Sequence, residues 1–220
     1  MSGAVVISLS ASSKTGRFFA YHVFRRDAEK KGPMGFLQVS QTPELLDFVP
    51  VKIGTHVPTE AVSYDQTYEA VRWISGLKPK KIVLVDFGAR AGTLAQFIES
   101  IKGDPTLGEI GTTIVHVGSE QKVYSAGEIK ESRESMQTMG KVQFNTSGVQ
   151  DAVIAQSTAK AFYDDVQLAW HGWVGVSHEI MPDIQLLLGQ GVSGDEGVEK
   201  GWSRLCQGSA ITQEGLVYTM

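Results

Sequence analysis

The sequence predicts a doubly wound α/β domain, a mainly parallel sheet with helices on both faces. Three observations predict it. Apolar runs of about five residues alternate with amphipathic stretches of helical length. The runs are apolar along their whole length rather than at every second position, the pattern of strands covered on both sides. No repeat, low-complexity tract or long linker divides residues 1–220, so the expectation is one domain, with a less regular segment over 189–220.

Each element has its own warrant. Ala4–Ser8 (AVVIS) is a β-branched run ending in small polar residues, and reads as a buried strand. Thr15–Lys31 has helical length, with Phe18, Phe19, His22 and Val23 on successive turns, and Gly32-Pro33 ends it. Gly35–Val39 (GFLQV) is a second strand, and Thr42–Phe48 a helical turn capped by Thr42. An edge strand is expected at Val51–Gly54. Asp65–Leu77 spaces Tyr68, Val71, Ile74 and Leu77 as a helix does, and Lys81–Asp86 (KIVLVD) is the clearest strand. Thr93–Lys102 follows as a helix with Leu94, Phe97, Ile98 and Ile101 on one stripe. Thr112–Val117 is a strand, Ser125–Met139 a charged helix, Lys141–Asn145 a strand and Ser147–Tyr163 helical. Trp173–Ser177 (WVGVS) is expected as the last strand, before a mixed segment at Ile184–Leu188 and a terminal helix at Val198–Cys206.

Composition narrows the function classes. Hydrophobic residues make up 42% and charged residues 20%, enough for a real core. A net charge of −4 argues against a surface dedicated to coating nucleic acid, while a local basic patch such as Arg25-Arg26 with Lys30-Lys31 reads as a solvated helix end. No apolar run reaches the roughly 18 residues of a membrane span, and MSGAVVISLSASS lacks the basic start of a secretory signal, so a cytoplasmic protein is expected. The single Cys206 excludes an internal disulfide and is expected to pack within its helix. The five histidines show no metal-ligand spacing, and Ser177-His178-Glu179 lacks the G-x-S-x-G elbow of a hydrolase. Glycine is abundant, 24 residues against roughly 15 at average usage, and Gly189–Gly201 reads as a surface loop.

Chemistry in such a sheet belongs at the carboxyl ends of the strands. The first offers Ser10-Ala11-Ser12-Ser13-Lys14-Thr15-Gly16 between a strand and a helix. Small residues let backbone N–H groups turn around a phosphate, a lysine reaches its outer oxygens, and a Ser/Thr hydroxyl holds Mg²⁺. A serine-rich turn with Lys14 in solvent is the alternative. A later strand ends at Asp86, followed by Gly88, and can place a carboxylate by a metal or water. Capping of the turn that follows is the alternative. Asn145 ends another strand with an amide able to bond a purine edge, or simply to make a turn.

The Lys14-Thr15 loop, then VLVDFGARAGTLAQFI, TTIVHVGSEQKVYSAGEIKESRE and KVQFN, in this order, resemble the ParA/MinD-type P-loop ATPases. The chain is most similar to their plasmid-stability and conjugation group, the StbB- and TraL-like proteins, over about residues 4 to 180. The resemblance implies a P-loop NTPase-like fold and ATP or GTP with Mg²⁺ as cofactor. It implies that Ser12, Ser13, Lys14, Thr15 and Gly16 hold the phosphates, Thr15 and Asp86 the metal, Gly88 the γ-phosphate and Asn145 the adenine. Lys14 and Asp86 would carry catalysis.

Two departures bear on turnover. Leu9 stands where that family has a second lysine, and Ser13 replaces the glycine before Lys14. The second strand, Leu37-Gln38-Val39-Ser40-Gln41, ends without a carboxylate to orient water. The resemblance implies a weak ATPase that segregates or positions plasmid or other DNA, dimerising or polymerising with nucleotide and acting through DNA or a DNA-binding adaptor protein. A pseudo-NTPase scaffold that has lost hydrolysis is the second expectation, and an ATP-dependent ligase or kinase of small molecules the third.

Overall fold

The computed structural model describes residues 3–26, 32–90, 92–120, 122–211 and 213–220. It is the expected doubly wound α/β architecture. The first half contains β1 (Ala4–Leu9), α1 (Lys14–Phe24), β2 (Gly35–Ser40), a 3-10 turn (Pro43–Leu45), α2 (Val49–Ile53), β3 (Thr59–Ser63), α3 (Thr67–Leu77), β4 (Lys81–Phe87) and α4 (Thr93–Gly103). Then come β5 (Thr112–Gly118), α5 (Ala126–Thr138), β6 (Val142–Gln143), α6 (Thr146–Gln156), α7 (Ala159–Ile180), β7 (Gln185–Gln190), α8 (Val198–Cys206) and β8 (Glu214–Thr219).

Six parallel strands pair in the order β3-β2-β1-β4-β5-β6, and β7 pairs with β8 in a separate parallel pair. The central strands are apolar throughout because both of their faces are covered. Val5, Ile7 and Leu9 point to one side, where Val71 and Ile74 of α3 and Phe97 and Ile101 of α4 pack on them. Val6 points to the other side, with Ala20, Tyr21 and Phe24 of α1 and Trp173 and Ile180 of α7. Trp173 meets Phe18 and Tyr21 edge-on, at centroid distances of 5.2 and 5.4 Å.

Helix starts follow the local chemistry. Ser13, Thr158 and Ser125 cap α1, α7 and α5 by accepting bonds from Gly16, Ala161 and Glu128 N–H groups. At α5 the Glu128 carboxylate accepts from Ser125 N–H in return, which with Lys122 holds its pKa down at about 2.

Several expectations are corrected. Val51–Gly54 lies in and just after α2, and the sheet edge is β3 instead, because Pro50 starts a helical turn. Trp173–Ser177 is not a strand but part of the 22-residue α7. Gly172 and Gly175 beside Val174 and Val176 imitate a strand locally, whereas Trp173 and Ile180, seven residues apart, share the buried helix face, in one cluster with Ala20, Tyr21 and Phe24 of α1. The helix expected over Ser147–Tyr163 is interrupted at Ser157-Thr158, where α6 ends and α7 is capped. Tyr68 is exposed, and Thr67, Ala70, Val71 and Ile74 form the buried stripe of α3. Cys206 is exposed rather than packed. The strand expected at Lys141–Asn145 shrinks to Val142–Gln143. Helix α1 ends at Phe24 with Arg25 as its C-cap, so the expected helix stops short of Arg25 and Arg26, and its last stretch, 27–31, lies outside the described residues. Among the described residues no helix is long and apolar enough to cross a membrane.

Candidate functional site

Strand order reverses between β1 and β4. The chain winds outward from β1 through β2 to β3, then crosses back to β4 on the other side. Loops leaving β1 and β4 therefore diverge and leave a crevice at their carboxyl ends, the position where open α/β sheets bind ligands. A cleft of about 440 Å³ lies there. It takes residues from five strand ends: Ser10, Ser12 and Ser13 after β1, Gln41 and Thr42 after β2, Tyr64 after β3, Phe87, Gly88 and Arg90 at and after β4, and Ser119 and Glu120 after β5.

The turn after β1 is tight. Ser10 sits in the left-handed region at φ 55°, and its hydroxyl lies 3.1 Å from that of Tyr64. A non-glycine residue there stores strain, a feature concentrated at ligand sites. The N–H of Ala11 donates to Val39 O at 3.1 Å and that of Ser13 to Ser10 O at 3.0 Å, folding the chain back into α1. A Cβ on Gly16 would lie 2.9 Å from the carbonyl oxygens of Ser10 and Ala11, so only glycine lets α1 begin this close to the strand. Gly16 thus stands where the last glycine of a G-x-G-x-x-G turn serves helix–strand packing, while Ala11 and Ser13 occupy the places of the two earlier glycines. Gly88 is equally constrained. Its φ is 109°, and a Cβ would stand 2.4 Å from Ser119 O, so the β4 and β5 loops touch through it.

The residues singled out from sequence separate into four places. Ser12, Ser13 and Gly88 line the crevice, and Gly16 supports it from behind. Lys14 and Thr15 line a different, apolar cavity of about 690 Å³ shared with Phe18, Trp170, Trp173, Leu186 and Leu216. There the Lys14 ammonium donates to the backbone O of Glu214 at 2.7 Å, and partial burial plus the nearby Arg17 charge lower its pKa. Asp86 is buried and turned onto its own loop, its Oδ1 accepting from Gly88 N–H (3.0 Å) and Ala89 N–H (2.8 Å). Its Oδ2 lies 3.6 Å from Nδ1 of His116, beyond hydrogen-bonding distance. Asn145 is exposed and caps α6 through Ser147 N–H at 2.9 Å. Among the described residues no group of three or more His, Cys, Asp or Glu side chains is placed to hold a metal ion.

Sequence reasoning missed Gln41, Tyr64 and Arg90. Arg90 Nη2 donates to Gln41 Oε1 at 2.6 Å, which links the β4 loop to the end of β2. The available signal was position alone: each follows a strand of the sheet within three residues. Buried polar atoms also gather in the carboxyl-terminal halves of the central strands, where Ser8 Oγ, Gln38 Nε2 and His116 Nδ1 have no hydrogen-bond partner among the described residues.

The fold and crevice define a doubly wound α/β protein with one small-polar turn at its switch point. Within that class the chain belongs to the family described as Protein of unknown function (DUF2855), whose model matches residues 1–211. No curated protein and no solved structure matches the chain.

Proposed function

We propose that this chain binds a nicotinamide adenine dinucleotide in the β1/β4 crevice, with the pyrophosphate against Ser10–Ser13 and the N-terminus of α1. The strand order carries the reading. A parallel sheet ordered β3-β2-β1-β4-β5-β6 is the arrangement in which dinucleotides lie across the first βα turn. The tight turn, Gly16 behind it and the cleft along five strand ends support the same reading. Phosphate oxygens there would meet backbone N–H groups at the positive end of α1.

A second reading, a ParA/MinD-like nucleoside triphosphatase or pseudo-NTPase that dimerises or polymerises and acts on DNA, rests on a specific pairing. Leu9 of β1 lies beside Asp86 of β4, so a phosphate loop and a metal carboxylate would be neighbours. Against it, Lys14 engages Glu214 away from the crevice and Asp86 Oδ1 is taken by two backbone N–H groups.

Titration calorimetry separates the two. NADH or NADPH should bind with a Kd within the ~1 μM to 1 mM range usual for enzyme ligands. Gly16→Val should weaken that binding at least ~10-fold and Lys14→Ala by no more than about 2-fold, since Lys14 faces the other cavity. Binding of Mg-ATP that Lys14→Ala abolishes, with no response to either dinucleotide, would overturn the proposal in favour of the second reading.

A further inference from the structure

We infer that Arg90 and Gln41 make this site selective for the dinucleotide whose adenosine ribose carries a 2′-phosphate. The inference rests on the dinucleotide reading above and goes further, to which form is taken. In a sheet of this order, a carboxylate at the end of the second strand holds the ribose 2′-hydroxyl of the unphosphorylated form, whereas an arginine nearby receives the 2′-phosphate. Here β2 ends in Ser40, followed by Gln41-Thr42-Pro43. The nearest carboxylate along the chain is Glu44, exposed on the 3-10 turn and outside the cleft. A neutral amide stands where the acid would be.

The cation comes from across the crevice. Arg90 follows β4, and its Nη2 donates to Gln41 Oε1 at 2.6 Å, so the amide holds the guanidinium over the end of β2. That bond uses one of five N–H donors, leaving a planar fork for a phosphate. Thr42 is fixed beside it, its N–H donating to Ser40 Oγ at 3.1 Å, and it lines the same cleft. Asp86 is turned onto its own loop, and Glu120, at the β5 side of the cleft, has Lys122 3.5 Å away. Asp65, after the neighbouring β3, is held by the Ser63 hydroxyl, so a dianion at the end of β2 meets a positioned cation while the nearby acids are engaged by Ser63, Lys122 or their own loop.

Calorimetry on the full chain with NADPH, NADH, 2′,5′-ADP and 5′-AMP tests this. The wild type should prefer NADPH over NADH, and 2′,5′-ADP over 5′-AMP, by about 10- to 100-fold, the factor that hydrogen bonds to an ionised group carry. Arg90→Ala should remove that preference, weakening NADPH and 2′,5′-ADP far more than NADH and 5′-AMP. Gln41→Glu should reverse it by restoring the acid. Both side chains are exposed, so folding is not at stake. NADH bound as tightly as NADPH, or a preference that survives Arg90→Ala, overturns the inference and leaves the dinucleotide reading standing. Failure of all four ligands to bind overturns both.

Discussion

The chain builds the same local unit twice, with opposite surroundings. In β1-α1-β2 and in β7-α8-β8, two six-residue parallel strands are joined through a helix and pair residue for residue. Every residue of β1 and β2 is buried, and none of β7 or β8 is. Leu186 and Leu188 of β7 are 67% and 79% exposed, whereas Ile7 and Leu9 of β1 are wholly buried. A strand–helix–strand crossover therefore does not make a core by itself. The first unit is buried because β3 and β4 continue its sheet on both sides and helices close both faces. The second is a pair with two open edges. The candidate site follows the same division, because the crevice needs a strand-order reversal, and a two-stranded pair has none.

The largest expected effect concerns the tie between the two units. Arg17 of α1 is bidentate to Asp183, just before β7, at 2.6 and 2.7 Å, and also donates from Nε to Ser12 O at 3.0 Å. Its side chain is 5% exposed and that of Asp183 15%. Removing one partner strands a nearly buried charge, so Asp183→Ala should cost ~3–5 kcal/mol in urea unfolding. A change below ~1 kcal/mol would mean that the second unit is held by other contacts.

Next comes the contrast in burial itself. Leu84→Ala, in the wholly buried centre of β4, should lose ~2–5 kcal/mol, and Leu188→Ala, on the open pair, should stay within about 0.5 kcal/mol. Equal losses at the two positions would show that β7 is covered in solution, and would erase the distinction drawn above.

The smallest effect is on pH dependence. His22 packs edge-on against Phe18 and Tyr21, and its Nε2 is buried with no hydrogen-bond partner among the described residues. Burial, with the charges of Arg25 and Arg26, lowers its pKa from the usual 6.5. Below 6.5 the unfolded chain then binds a proton that the folded chain resists, so stability rises with pH through that window and levels off above it. His22→Phe should flatten the slope. An unchanged slope would move that acid sensitivity out of the buried unit.

The buried unit was also the legible one. β1, β2, β4 and β5 were expected to within two residues at each end, because a parallel strand covered on both faces must be apolar along its whole length. α8 matches at both ends, Val198 and Cys206. β8 was not expected at all, since EGLVYT becomes a strand only beside β7. α7 was misread for the converse reason: its strand-like run is overruled by burial of Trp173 and Ile180 in the cluster that includes α1. Within the site, Ser12, Ser13 and Gly88 were legible from their place at strand ends. Gln41, Tyr64 and Arg90 were not, because they lie far apart in the chain and carry no local pattern.

By itself the sequence determined the fold class, the central strands and the small-residue turn after β1, since each depends on contacts within a few residues or on hydrophobic burial that any partner satisfies. Only the tertiary structure decided the strand order, and with it where the crevice lies. It alone turned Lys14 toward Glu214, folded Asp86 onto its loop and set Arg90 against Gln41. Those outcomes depend on which distant strand lies beside which, and on a side chain's best partner within reach in three dimensions, neither of which a one-dimensional pattern encodes.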